Sequence, residues 1–289
     1  MIDHPSGQGY TLGAMFQSLA LGALLLVNSL SIFGYATFSR NSQLLVTYPW
    51  AQPIFENAYW VFARLQILLA LLAMLFLLHN KVRGKWVPAF CAAVLISLGS
   101  EFCGTTWGLP FGSYEYTDLL GPTLFGRVPY LIPLSWFFMG ISSFGISQTV
   151  FTGTKFSFAR ILLASWILMS WDLTLDPAMS HLAPFWTWNE AGPYFGTPLL
   201  NLAGWYVTGF CIMLSFEVLR VNRWISAIPT TSLLTFYGAN LVLPLGIVVA
   251  AGLWEAVAIS GICYSIVAFI FLYRRLFWSP PLLTQLPIE

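Results

Sequence analysis

RILLASWILMSWDLTLDPAMSHLAPFWTWNEAGPYFGTP, residues 160–198, joins two kinds of sequence that rarely meet. From about 160 to 178 it is an apolar run of the length that crosses a bilayer, for which ~20 helical residues are needed. Asp172 and Asp176 interrupt the end of that run. Pro177 should end or kink the helix, because it lacks an N–H and clashes with the preceding turn. Beyond it the chain is crowded with Trp, Tyr, Gly and Pro and carries little charge.

The whole chain has the character of its first half. Of 289 residues 58% are hydrophobic and 8% charged, with a mean hydropathy of +0.76. Soluble domains carry about 25% charged residues. The net charge of +1 leaves no broad basic surface, so nucleic acid is excluded as a partner. Aromatic residues make up 17%, including 13 Trp, more than interfacial belts alone require. Cys91, Cys103, Cys211 and Cys263 form no CxxC pair and read as packing residues. The N-terminal stretch has no Lys or Arg and no cleavable-signal pattern, so the first apolar segment is expected to stay in the protein.

Eight apolar segments follow one another, at roughly 12–38, 57–79, 86–106, 130–151, 160–178, 198–219, 231–251 and 254–273. A turn near Gly252 must separate the last two; without it the count falls to seven. The expected fold is an all-α polytopic helix bundle, a single transmembrane domain over 1–289. Lys81, Arg83 and Lys85, then Lys155 and Arg160, then Arg220 and Arg223, then Arg274 and Arg275 follow alternate segments. The opposite connections hold Arg40 and Arg127. Basic loops stay cytoplasmic, so a multi-pass protein of the cell membrane with both termini cytoplasmic is expected. The connections 107–129 and 179–197 then share the non-cytoplasmic side. Their composition predicts that they fold back into or over the bundle, where irregular backbone is tolerated if protein buries it.

Ionisable residues inside membrane spans are functional candidates by default. Glu101, Asp172, Asp176, Arg64 and Asn201 all fall in the outer half of the bundle. Asp172 and Asp176 share a helix face with a rise of ~6 Å between them. A structural polar network, with Arg64 neutralising a carboxylate and tying helices together, would account for some of this. Yet three acids face one base, so at least one carboxyl must hold a proton or stand poorly compensated, and such a group can deliver a proton.

Several chemistries lack their residues. His4, His79 and His181 form no cluster for a di-iron site. No lysine lies inside a span to form a Schiff base, and no GxGxxG joins a strand to a helix. The Asp172–Asp176 pair has the spacing of a prenyltransferase acidic motif, but no second such motif accompanies it. Glu217 and Glu255 read as end-of-helix charges. What is left is acid chemistry in an aromatic, lipid-accessible place, which suits protonation of an alkene. A trisubstituted terminal olefin would give a tertiary carbocation. Aromatic faces attract cations by ~2 kcal/mol when desolvated. Trp107, Phe111, Tyr114, Tyr116, Trp171, Trp186, Trp188, Tyr194 and Trp205 are the faces on offer, with belt and loop packing as the competing reading. Water steered by a second carboxylate or an Asn would capture the cation as an alcohol.

Residues 101–140, EFCGTTWGLPFGSYEYTDLLGPTLFGRVPYLIPLSWFFMG, and 171–205, WDLTLDPAMSHLAPFWTWNEAGPYFGTPLLNLAGW, resemble the carotenoid 1′,2′-hydratases. These membrane enzymes include the bacterial γ-carotene and lycopene hydratases and the haloarchaeal bisanhydrobacterioruberin hydratase. The resemblance implies cofactor-free, metal-free addition of water to the terminal double bond of an acyclic (ψ) carotenoid end. It implies a bilayer setting and, as neighbours, other enzymes of the carotenoid pathway that modify the new hydroxyl. Its motif positions are Glu101, Tyr114, Tyr116, Asp172, Asp176, Trp188, Asn201 and Trp205. In this reading Asp172 or Asp176 is the general acid, and Glu101 with Asn201 orients the water or takes its proton. Arg64 sets the charge balance, and Tyr114, Trp188 and Trp205 line the cation pocket. The polyene lies between helices, roughly along the bilayer normal. A proton-coupled transporter and a non-catalytic carotenoid-binding scaffold are the alternatives. The substrate itself, lycopene, γ-carotene or a fifty-carbon relative, stays open.

Overall fold

The computed structural model describes residues 7–277, with 7–11 described by backbone alone. The expected cytoplasmic ends at 1–6 and 278–289 lie outside the described residues. Among the described residues eight long helices carry the fold: α1 Gly7–Gly34, α3 Gln52–Val82, α4 Val87–Trp107, α5 Leu131–Val150, α6 Ser157–Asp176, α7 Leu199–Val218, α9 Thr230–Ala251 and α10 Trp254–Phe277. Two short helices, α2 Gln43–Thr47 and α8 Asn222–Ile225, lie in connections. Six stretches among the described residues are long and apolar enough to cross a membrane, and one of them, Pro49–Trp107, contains both α3 and α4. The protein is an all-α polytopic membrane bundle.

Local chemistry sets the helix ends. Proline occupies the first turn of α3 and α4, where its missing N–H is no loss. Gly108 and Gly252 close α4 and α9 in the left-handed conformation, and Gly252 supplies the turn that separates α9 from α10. At Pro177 the α-helix ends as expected, but the chain keeps coiling through a π turn, Pro177–His181. A second π turn, Tyr35–Ser39, continues α1.

Helix α5 is the centre, touching α3, α4, α6, α7, α9 and α10, and nearly every one of its residues is buried. Helix α1 packs on α3 and α9, and α10 packs on α6 and α9. In lipid, small interface residues let backbones approach. A Cβ at Gly145 of α5 would stand 2.5 Å from Leu233 of α9.

Both long connections fold over one end of the bundle and pair. Strand β1 (Tyr114–Tyr116) lies antiparallel to β4 (Trp186–Trp188), with Tyr114 opposite Trp188 and Tyr116 opposite Trp186. Strands β2 (Thr123–Leu124) and β3 (Val128–Pro129) form a separate small turn. The β1–β4 ladder alternates as a half-buried strand pair must: Tyr114 and Trp186 are buried while Glu115 and Thr187 point out. The segment before β1 wedges between α4 and α7. A Cβ at Gly104 would stand 2.8 Å from Phe111, and one at Gly204 2.6 Å from Phe111 and 2.7 Å from the Pro110 carbonyl.

Two charge assignments change. Glu217 is not a solvated helix-end charge. It pairs with Arg160, which lies in the first turn of α6 with no exposed surface. That guanidinium also bonds the Phe151 and Gly153 carbonyls and the Ser157 hydroxyl, so it pins α6 to α7 and to the preceding connection.

Candidate active site

Glu101, Asp176 and Asn201 converge on one chamber. Glu101, in the last two turns of α4, is buried. Its Oε1 accepts from Trp136 Nε1 of α5 at 2.9 Å, and its Oε2 accepts from the hydroxyls of Tyr114 and Tyr116, the latter at 2.8 Å. A carboxylate only accepts hydrogen bonds, and this one meets three donors. Burial, with the Glu101 charge next, pushes both tyrosine hydroxyls well above their ordinary value, so they remain protonated donors.

The second group sits on α6. Asn201, in the first turn of α7, donates from its amide nitrogen to Asp172 Oδ2 at 3.0 Å and to Asp176 Oδ2. Trp186 Nε1 donates to Asp176 Oδ1 at 3.1 Å. Asp172 Oδ1 is buried without a hydrogen-bond partner, and so is Trp188 Nε1. The β1–β4 ladder thus supplies both groups: Tyr114 and Tyr116 serve Glu101, and Trp186, opposite Tyr116, serves Asp176.

Between the two groups lies a cavity of about 80 Å³. Glu101, Asp176 and Asn201 open onto it, with walls from Phe111, Tyr114, Tyr116, Trp171, Trp186, Trp188 and Trp205. Trp205 stacks on Trp136 with ring centroids 4.1 Å apart and meets Trp171 edge-on at 6.0 Å. Asp172 is fully buried behind this wall and reaches the cavity through Asn201.

Three expected site residues lie elsewhere. Arg64 does not balance the acids. Its guanidinium donates to the Leu119 and Asp118 carbonyls at 3.1 and 3.0 Å and rests 3.8 Å above Trp60. Gly121, at φ +91°, gives it room, since a Cβ there would stand 2.9 Å from Arg64 Cζ. The reason is reach: the connection 118–121 comes to Arg64 before any carboxyl does. Trp107 is 69% exposed and meets Phe102, outside the chamber. Tyr194 packs with Met169 and Leu173 and donates its hydroxyl to the Leu173 carbonyl at 2.5 Å.

Three residues, one tryptophan and a pair of amides, join the site without a sequence expectation. Trp136 is one; within an apolar helix nothing marks a tryptophan as a donor to an acid. Gln66 and Asn240 are the others. They line the chamber, and Gln66 Nε2 donates to Asn240 Oδ1 at 3.3 Å. They are uncharged amides inside α3 and α9, but the rarity of polar groups in those runs was a usable signal.

The family described as "Carotenoid biosynthesis protein" matches residues 62–267, which hold the three carboxyls, their donors and the chamber. The chain belongs to that family. It is 31% identical over 168 residues to the bisanhydrobacterioruberin hydratase of Haloarcula japonica, across 57% of this chain and 55% of that protein. The chain thus spans about half the length of the curated relative it matches. No solved structure matches.

Proposed function

We propose that this protein is a carotenoid hydratase that adds water across the terminal double bond of an acyclic ψ end group. One observation carries the reading: three buried carboxyls meet no cation, and two of them, Glu101 and Asp176, open onto an aromatic-walled chamber. Among the described residues the ion pair is Arg160–Glu217, on other parts of α6 and α7. Charge buried without a partner is costly enough that groups take up protons instead. An acid held this way is a proton donor to an olefin.

In the proposed reaction Asp176, which opens onto the chamber, gives its proton to the less substituted carbon of the terminal double bond. The π pair forms the new C–H bond and leaves a tertiary cation. Trp205, Trp171 and Trp188 present π faces to it. Water adds to the cation through its oxygen lone pair, and Glu101, an acceptor held by three donors, takes the proton released. Net, one water joins the olefin. Asp172 lies behind Asp176, linked to it through Asn201, and the proton taken by Glu101 returns to Asp176 through water in the chamber, which restores both carboxyls. The chemistry needs only these side chains and water. Substrates with this end group include lycopene, γ-carotene and fifty-carbon precursors. The charge pattern of the connections supports a cell-membrane protein with the chamber in the non-cytoplasmic half.

The test is expression in a lycopene- or γ-carotene-producing host with pigment mass analysis. A gain of one water is expected. Unchanged pigment across ψ-ended substrates would overturn the reading, and stable pigment co-purification with no chemical change would favour a binding scaffold.

A further inference from the structure

A second cavity adjoins the chamber. It holds about 320 Å³ between the end of α1, the first turns of α3 and the C-terminal half of α9. Its walls are apolar apart from the hydroxyls of Tyr35, Tyr59, Ser31 and Ser39. Ala63, Met179, Phe185 and Leu243 line both cavities, so the two spaces share a wall and not merely a neighbourhood. Tyr59 meets Phe185 edge-on at 6.1 Å at that wall.

Two further features single this groove out. Both π turns among the described residues border it, Tyr35–Ser39 through Tyr35, Phe38 and Ser39, and Pro177–His181 through Met179. Such turns are rare and gather at functional sites. Here they widen the helix ends where the groove lies. Its rim residues Phe33, Trp50 and Ile54 are 64%, 68% and 59% exposed. In a membrane bundle that surface meets acyl chains, so the mouth opens sideways into lipid.

We propose that this groove binds the conjugated chain next to the reacting end, which enters between α1 and α3 and passes the Met179–Phe185 wall into the acid chamber. The inference rests on the carotenoid reading above. An apolar chain leaving lipid gains no hydrophobic free energy from an apolar groove. What holds it is close contact with a fixed surface, which aromatic walls supply in quantity. The groove lies beside the acid chamber, across a shared wall, so the chain approaches from the side. This replaces the expected path along the bilayer normal. The part of a long polyene that the groove cannot hold stays in the acyl-chain region.

Gly34 offers a clean test. It lines the groove, its backbone is helical, and a Cβ there meets nothing within 4 Å. Gly34→Phe therefore fills the groove without a backbone conflict. Ala58→Trp, from the opposite wall, is the second variant should the first fail to fold. Lycopene and geranylacetone, which ends in the same trisubstituted olefin but is short, are the two probes. The expected result is a fall of about tenfold or more in the lycopene-to-geranylacetone conversion ratio, with less lycopene retained by the purified protein. An unchanged ratio with unchanged retention would overturn the groove assignment. If the wild type hydrates neither probe, the hydratase reading fails by itself. Lycopene retention then still decides the groove: loss in Gly34→Phe supports it, and equal retention sinks it.

Discussion

Asn201 reaches from α7 to α6 and donates to Asp172 Oδ2 at 3.0 Å, while the same amide nitrogen serves Asp176. One side chain therefore holds two buried acceptors at a fixed spacing. Asn201→Leu leaves both without that donor, and a buried polar group so stranded costs about 1–3 kcal/mol. Thermal unfolding in detergent should shift down accordingly, and pigment conversion should fall with it.

The aspartates themselves should separate chemistry from folding. Asparagine keeps the shape but cannot supply the acid proton. General acid catalysis is worth about 10²–10⁴ in rate, so Asp176→Asn should reduce hydrated carotenoid by roughly 100-fold or more. Asp172→Asn should act in the same direction. Both proteins should elute from gel filtration as the wild type does. Normal conversion in Asp176→Asn would assign the proton to another group.

The stacked pair Trp136 and Trp205 offers a graded test. A desolvated cation–π contact is worth about 2 kcal/mol, so Trp205→Leu should slow conversion by roughly 30-fold. Trp136→Phe keeps the ring but removes a donor from Glu101, and a milder loss is expected. Conversion rates compared at matched protein levels would show the order.

Gly204 tests the loop that closes the chamber. The alanine methyl would press on Phe111 and on the Pro110 carbonyl, which is backbone and cannot swing away. Overpacking of this kind costs about 1–3 kcal/mol. Gly204→Ala should lower the unfolding temperature and impair conversion, although it touches no acid.

Arg160 and Glu217 should behave as a structural pair. Removing one partner leaves a buried charge and costs about 3–5 kcal/mol, so Glu217→Gln or Arg160→Met should destabilise the bundle strongly. Arg160→Met combined with Glu217→Leu should recover much of that loss. Unfolding curves for the two single variants and the double would measure the coupling.

Much of the site could be read from residue types. Glu101, Asp172, Asp176 and Asn201 stand out because polar groups in a membrane span need a reason; three of them open onto the chamber, and Asp172 lies behind, bonded to Asn201. The strands Tyr114–Tyr116 and Trp186–Trp188 could not be read, because three residues are too few to show an alternation, and they carry donors to Glu101 and Asp176. Trp136 was not legible, because on an innermost helix a donor tryptophan and a packing tryptophan look alike. Arg64 was misjudged because counting charges says nothing of reach, and the Asp118 and Leu119 carbonyls lay closer.

Composition and spacing by themselves determined that the chain is an all-α membrane bundle and which helices carry the acids. These follow from the chain's own chemistry against a hydrocarbon slab of fixed thickness, residue by residue. Which donor meets which carboxyl, which tryptophans face the chamber, and where a groove opens beside it were decided by the tertiary structure. Those contacts join residues far apart in the chain, such as Trp136 with Glu101 and Tyr59 with Phe185, and they exist only once α3, α4, α5 and the β1–β4 ladder have packed together.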